Sequence, residues 1–233
     1  MDKREISRLV KEAVSLGRKT LTEPEAKEIL RLSSVPVPRF FVVKDVGGAI
    51  EAAAKLNCPL VLKIVSPDIL HKSDVGGVAP GIKDAKEIED QWSMMILNVA
   101  FEAPQAIIEG FLIEEEVQKG IEVIVSAVKD EQFGVVAMFG LGGVAVELLK
   151  DVSFALGPLD RNSALSMMSE VKGFPLLTGW RGDTFKDINS IADVIVSITK
   201  IVEETDGLKE IEINPLMVYD KGVVAVDARA VLG

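Results

Sequence analysis

The only histidine of this chain, His71, lies in the run Lys63-Ile64-Val65-Ser66-Pro67-Asp68-Ile69-Leu70-His71-Lys72-Ser73-Asp74-Val75-Gly76-Gly77. Imidazole is substantially neutral near pH 7 and therefore nucleophilic there. Pro67 and the Gly76-Gly77 pair bracket polar residues, a composition that belongs to a loop. A lone histidine also reads as a surface or satisfied core residue, and it is the neighbours that favour chemistry. Lys63 ends an apolar run. There it either delivers a cation to an anionic ligand at a strand's edge or snorkels to water.

Further along, Glu114-Glu115-Glu116-Val117 closes one strand-like run and Gly120-Ile121-Glu122 opens the next. Three adjacent acids are costly in a core, so most of them are expected to face water. The connection exposes backbone N–H and C=O groups that suit a purine edge, and a nearby carboxylate suits ribose hydroxyls. A plain solvated turn is the alternative. Gly140-Leu141-Gly142-Gly143-Val144-Ala145 formally fits GxGxxA. Its sequel leaves no room for a crossover helix, which excludes a dinucleotide fingerprint and leaves a phosphate-binding backbone nest or a simple turn. Near the C-terminus, strand alternation puts Glu210, Glu212 and Asn214 on one face, opposite Ile211 and Ile213. Asp220-Lys221-Gly222 joins that run to Val223–Asp227, and the pairing brings Asn214 and Asp227 level. One amide oxygen, one carboxylate, waters and substrate phosphates suit Mg²⁺; a half-exposed polar hairpin reads equally.

These residues need elements to hold them. Ile6, Leu9, Val10, Ala13, Val14 and Leu16 predict an opening helix ending near Gly17. Thr22-Glu23-Pro24-Glu25 starts a second helix that runs through Leu32. Further helices are predicted at 49–56, 84–99, 163–170 and 188–203. Strands are predicted at 40–43, 60–65, 107–117, 121–128, 133–139, 211–218 and 223–226. The fold class is α+β, with two lobes each carrying a sheet and helices. The expected boundary divides residues 1–104, with the histidine loop at 66–79, from residues 105–233.

The chain has 233 residues, 48% of them hydrophobic, enough for one large or two smaller domains with a real core. The net charge of −10 argues against non-specific nucleic-acid binding, which needs clustered Lys and Arg. A single cysteine, Cys58, allows no internal disulfide and reads as a buried small hydrophobe. The charged N-terminus leads into an amphipathic helix rather than a signal peptide. The longest uncharged apolar stretch, 135–146, is too short to span a membrane, so a cytoplasmic location is expected.

Taken in order, Lys63, the His71-Lys72-Ser73-Asp74 loop, the acidic hinge, Glu122, Gly140-Leu141-Gly142-Gly143, Glu212-Ile213-Asn214-Pro215-Leu216 and Asp227-Ala228-Arg229 resemble the β subunits of ADP-forming acetyl-CoA synthetases. These belong to the nucleoside-diphosphate-forming acyl-CoA synthetase superfamily. The resemblance covers the chain from about residue 20 to its end. It implies an ATP-grasp fold whose two α+β subdomains hold the nucleotide between them. It also implies the reversible reaction of acetyl-CoA, ADP and phosphate to acetate, CoA and ATP. On it, His71 takes a phosphoryl group from a CoA-binding α subunit and passes it to ADP, with Gly76-Gly77 letting the loop swing. Glu212 holds the imidazole. Lys63 contacts ADP phosphates. Glu114, Glu116, Val117, Gly142, Gly143 and Arg229 serve nucleotide binding, with Glu116 and Val117 backbone groups on adenine and Glu122 on ribose. Asn214 and Asp227 hold Mg²⁺. The implied partner completes an α₂β₂ heterotetramer. A succinyl-CoA synthetase-like β subunit without its own phosphohistidine, a carboxylate–amine ligase and a non-catalytic nucleotide sensor are the alternatives. The acyl group and the choice of ADP over GDP are not readable.

Overall fold

The computed structural model describes residues 1–69, 71–143 and 150–233. The chain forms two compact units: Pro38–Gln118 is one, and Met1–Val37 with Lys119–Gly233 is the other. This differs from the expected division at 104/105, and strand pairing gives the reason. Thr20–Leu21 (β1) pairs antiparallel with Ala228–Leu232 (β11), which carries the N-terminal helices into the C-terminal unit. Gly110–Glu115 (β5) pairs with both Phe40–Val43 (β2) and Leu60–Val65 (β3), which keeps it in the inserted unit.

The inserted unit has a four-stranded sheet ordered β2-β5-β3-β4, with β4 at Val78–Ile82. Helices Val46–Leu56 (α3) and Ala85–Glu102 (α4) accompany it. Asp45 and Asp84 cap them, their carboxylates accepting the Gly48 and Glu87 N–H groups. Ile88, Trp92, Met95 and Val99 of α4 bury one helix face with Leu62, Ile64, Phe111 and Ile113 of the sheet. Trp92 stacks on Phe111 with ring centroids 3.7 Å apart.

The other unit is built on Ile121–Asp130 (β6), Gly134–Leu141 (β7), Val152–Leu156 (β8), Leu208–Val218 (β9), Val223–Ala225 (β10) and β11. Its order is β1-β11-β9-β6-β7-β8, with β10 pairing β9. Helices Lys3–Ser15 (α1), Glu23–Leu32 (α2), Arg161–Ser169 (α5) and Ile188–Glu204 (α6) cover one face. Inward residues such as Val125, Ala127, Phe139, Ile211 and Ile213 share a core with Ile191, Ile195 and Ile198 of α6. The antiparallel β7–β8 pairing excludes a parallel dinucleotide fold, as the sequence reading expects.

Strands β1, β4, β8 and β11 are not among the predicted runs. Each is short, and β4 carries Pro80, which weakens its period-two signal. Among the described residues no helix is long and apolar enough to cross a membrane.

Candidate functional site

His71 is exposed and immediately precedes a short 3₁₀ helix, Lys72–Val75, which closes back through the Asp74 N–H donating to the His71 carbonyl (3.2 Å). Leu70 lies outside the described residues. Both ends of the loop are tied down. The Ile107 N–H donates to the Asp68 carboxylate at 2.8 Å, and Gly77 exchanges backbone bonds with Lys72 and Ile64. The two glycines do more than loosen the chain. Gly76 has φ +62°, and a Cβ there would come 2.5 Å from the Asn98 side chain on α4. A Cβ on Gly77 would come 2.6 Å from Ile64. The pair is therefore the packed root of the loop as well as the glycines expected to let it swing.

Lys63 is inside β3 rather than at its end, and only 4% of it is exposed. Its ammonium sits 2.8 Å from the carboxylate of Glu114 on the neighbouring strand β5. Glu114 is 1% exposed, so the expectation that the acids face water fails for it. A buried charge demands a counter-charge, and these two meet that demand for each other. Glu115 is held by Arg39 (2.5 Å), whose hydrogen bonds and charge keep its carboxyl below the usual carboxylate range. Burial, then the charge of Glu115, pushes the neighbouring Cys58 thiol up, the wrong direction for a reactive thiolate. Glu116 is exposed, and its N–H donates to the Pro59 carbonyl at 2.8 Å. Of the two Glu116 backbone groups, the carbonyl is therefore the one suited to a purine amino group. Val117 is half-buried just before the chain leaves this unit.

In the other unit, the sheet face away from the helices carries the second set. Arg229 stands opposite Glu212 in the β9–β11 register. Its guanidinium bonds Glu210 at 2.7 Å and lies 3.7 Å from Glu212. Arg229 therefore orients the Glu210–Glu212 pair, a partnership the spacing alone did not reveal. The Asn214 N–H donates to the Asp227 carbonyl at 3.1 Å, which brings these two residues level as the hairpin reading expects. Pro215 is tolerated inside this inner strand because β9 bulges there. Val123 of β6 faces Leu216 and Val125 faces Ile213, so β9 holds one extra residue. Asn214 is the exposed residue at that irregularity.

Two features brace the hairpin. The Asp187 carboxylate caps α6 at Ser190 and accepts the Gly222 N–H at 2.8 Å; these bonds, Gly222 first, hold it below the usual aspartate range. The Asp187 N–H also donates to the Tyr219 carbonyl. Glu122 is exposed at the start of β6 beside Gly142, whose N–H donates to the Glu122 carbonyl at 2.7 Å. A Cβ on Gly142 would come 2.8 Å from that of Glu122, so only glycine permits this approach. Gly143 follows with φ +70°. The rest of the glycine-rich run, from Val144, lies outside the described residues.

Asn214 and Asp227 supply hard oxygen donors of the kind Mg²⁺ takes. Among the described residues no group of three or more His, Cys, Asp or Glu side chains forms a metal cage. Two protein donors with the remaining positions left to water and phosphate oxygens is the usual Mg²⁺ arrangement, so the residues fit that ion.

The sequence pattern of the ATP-grasp domain family matches residues 12–232. The chain is 41% identical over 232 residues to the acetate–CoA ligase (ADP-forming) I subunit beta of Pyrococcus furiosus, covering 100% of both. It is 39% identical over 209 residues to acetate–CoA ligase (ADP-forming) I of Archaeoglobus fulgidus, matching 90% of this chain but 30% of that longer protein. Among solved structures, acetyl-coenzyme A synthetase 1 of Ca. Korarchaeum cryptofilum with coenzyme A and Ca-AMPCP superposes with a TM-score of 0.94 at 41% identity, covering 97% of this chain and 99% of that one. A second structure of that enzyme, with coenzyme A and Mg-AMPPCP, has its phosphohistidine segment pointing towards the nucleotide-binding site (TM-score 0.85, 38% identity, 98% and 100% covered). The chain belongs to the ATP-grasp family, among the β subunits of the ADP-forming acetate–CoA ligases.

Proposed function

We propose that this chain is the nucleotide-side subunit of an ADP-forming acetyl-CoA synthetase, carrying a phosphoryl group to ADP on His71. The observation that carries the reading is the exposed imidazole on a loop rooted by two tightly packed glycines. The relative with a phosphohistidine segment supports it.

An imidazole nitrogen of His71 attacks phosphorus in the phosphoryl donor offered by the partner. An N–P bond forms as the donor's bond to phosphorus breaks. A terminal oxygen of ADP then attacks the same phosphorus, the N–P bond breaks, and neutral imidazole returns with ATP formed. Glu212, oriented with Glu210 by Arg229, holds the imidazolium-like phosphorylated ring and fixes its tautomer. The Lys63 ammonium binds ADP phosphates, and Glu114 holds that ammonium in place. The Glu116 carbonyl and Val117 backbone take adenine, and Glu122 takes ribose. The Gly142-Gly143 turn lets backbone approach the nucleotide. Asn214 and Asp227 hold Mg²⁺, which when bound neutralises charge on the transferring group.

The chain's one histidine cannot supply both ends of the relay, so a CoA-binding α subunit supplies acyl-CoA binding and the first phosphoryl transfer. We assign the pair an α₂β₂ assembly and a cytoplasmic location. Incubating the cognate subunits with acetyl-CoA, labelled phosphate and Mg²⁺, without ADP, tests this reading. Acid-labile, base-stable label on His71, chased into ATP by ADP, is the expected result. Label confined to the partner, with His71→Ala still making ATP, would overturn it in favour of a succinyl-CoA synthetase-like relay.

A further inference from the structure

The strand face that carries Glu212 holds two acids against one cation. Strand alternation and the β9–β11 register put Glu210, Glu212 and Arg229 on it together. Directly opposite the two acids on the flanking strands stand Arg229 and Val231 of β11 and Ser126 and Val128 of β6. Of these, Arg229 alone is charged. One guanidinium between two carboxylates leaves one negative charge over. The three side chains are between 21% and 36% exposed, so solvent screens that charge incompletely.

The arginine does not bond the acid that faces it. Residues directly opposite on antiparallel strands have Cβ atoms about 4.5–5.5 Å apart, and diagonal neighbours lie about 7–8 Å apart. Glu212 is the opposite residue and Glu210 the diagonal one. Arg229 nevertheless reaches along the diagonal. Its Nη2 donates to Glu210 at 2.7 Å and stays 3.7 Å from Glu212, beyond hydrogen-bond length. Its Nε is buried and bonds no group among the described residues. One nitrogen, rather than a bidentate fork, therefore decides which acid has the cation. Such a contact is readily redirected. With the Glu210 carboxylate removed, Glu212 is the acid left in reach.

Redirection matters because of what Glu212 is assigned to hold. A phosphorylated imidazole is cationic in character, and a carboxylate already bonded to a guanidinium offers it little net charge.

We infer that Glu210 is a positioning residue for phosphoryl transfer: by taking the hydrogen bond of Arg229, it leaves the charge of Glu212 for the His71 ring. This rests on the phosphoryl-relay reading above.

A cross-strand ion pair that only steadies the sheet has the same static geometry, so the test must separate the two roles. Single-turnover labelling of His71 by γ-labelled ATP and Mg²⁺ is measured in the full chain, with thermal unfolding as the check on folding. Glu210→Ala removes the acceptor. Glu210→Gln, nearly isosteric, leaves a neutral and weaker one, and it keeps the test if the alanine variant unfolds. At saturating ATP the labelling rate is expected to fall at least about 30-fold in Glu210→Ala and by less in Glu210→Gln, with the half-saturating ATP concentration within about twofold of native. Arg229→Gln removes the cation that would be redirected, so adding Glu210→Ala to it is expected to cost less than about threefold. A native labelling rate in both Glu210 variants overturns the inference and leaves the relay intact. A loss of the same size in the Arg229→Gln background overturns it too, since Glu210 then acts without the arginine. So does a loss confined to the half-saturating ATP concentration. A native chain that takes no label from ATP, and whose His71→Ala variant still makes ATP with the cognate α subunit, refutes the relay and this inference together.

Discussion

Among the described residues, each unit buries a lysine–glutamate pair at the same distance, and the proposed function gives the two pairs different work. In the sheet of the inserted unit, Lys63 meets Glu114 across two strands at 2.8 Å. In the other unit, Lys27 meets Glu23 one turn earlier in α2, also at 2.8 Å, with Lys27 wholly buried. The second pair has the favourable helical spacing, with the acid N-terminal to the base. No residue near it was singled out for chemistry by the sequence. Burial of a charge therefore does not by itself mark function, because the desolvation physics is identical in both places. What separates them is whether the ammonium has a second duty once its counter-ion has placed it.

His71 gives the largest effect that separates placing from chemistry. His71→Asn is expected to cut ATP formation at least about 1000-fold, since no other imidazole exists to carry the group. The exposed side chain makes thermal stability indifferent to the change, within about 1 °C. A variant that kept a tenth of native activity would end the phosphohistidine role.

The two lysines come next. Removing either alone takes the ammonium away from a buried carboxylate, so Lys63→Met and Lys27→Met are each expected to lose about 3–5 kcal/mol, read from urea midpoints. Replacing both members of a pair by apolar residues separates them. Glu23→Leu/Lys27→Met is expected to recover stability with activity intact. Lys63→Met/Glu114→Leu is expected to recover stability with activity still down at least about 100-fold, because the proposed phosphate-binding cation is gone. Equal activities in the two double variants would make Lys63 as structural as Lys27. A smaller shift is expected at the proposed metal donors. Asp227→Asn is expected to raise the Mg²⁺ concentration needed for half-maximal ATP synthesis by about 10–100-fold without changing the unfolding midpoint. An unchanged Mg²⁺ requirement would remove Asp227 from the metal site.

How much of this was legible depended on whether a feature is local. Strands β2 and β3 were read to the residue from their apolar runs, and α2 from Thr22 and Pro24. The level placement of Asn214 and Asp227 followed from strand alternation and a short turn. Other features were not legible because they depend on pairings between distant segments. The pairing of β1 with β11 moved residues 1–37 into the C-terminal unit. Glu114 proved buried because its counter-ion comes from β3. The bond from Arg229 to Glu210 spans two strands and left no motif. The duty of Gly76 was hidden for the same reason, since Asn98 reaches it from a helix read only for its buried face.

The smallest expected effect extends the contrast to acid. Burial pushes the Glu25 carboxyl up, but hydrogen bonds from Arg18 and from the Thr22 N–H (2.7 Å) outweigh it, and the group ends below its ordinary value. Glu115 in the inserted unit is also lowered, through the more exposed Arg39. A carboxyl whose folded pKa is depressed contributes stability that is fully present above the unfolded value. That stability is lost as pH falls through the folded one. Both contributions are therefore present at pH 7 and fade below about 4.5, the ordinary glutamate value. Solvent screens the Arg39 pair more than the Arg18 pair. Glu25→Gln is thus expected to lose roughly 1 kcal/mol at pH 7 and less at pH 3, flattening the acid limb of the stability curve. Glu115→Gln is expected to change it by less than about 0.5 kcal/mol at either pH. Urea midpoints at the two pH values decide the matter. A larger effect at Glu115 would mean that the inserted unit, whose partially buried Glu115 lies one residue beyond the buried Glu114, depends on its electrostatics more than the N-terminal helices do.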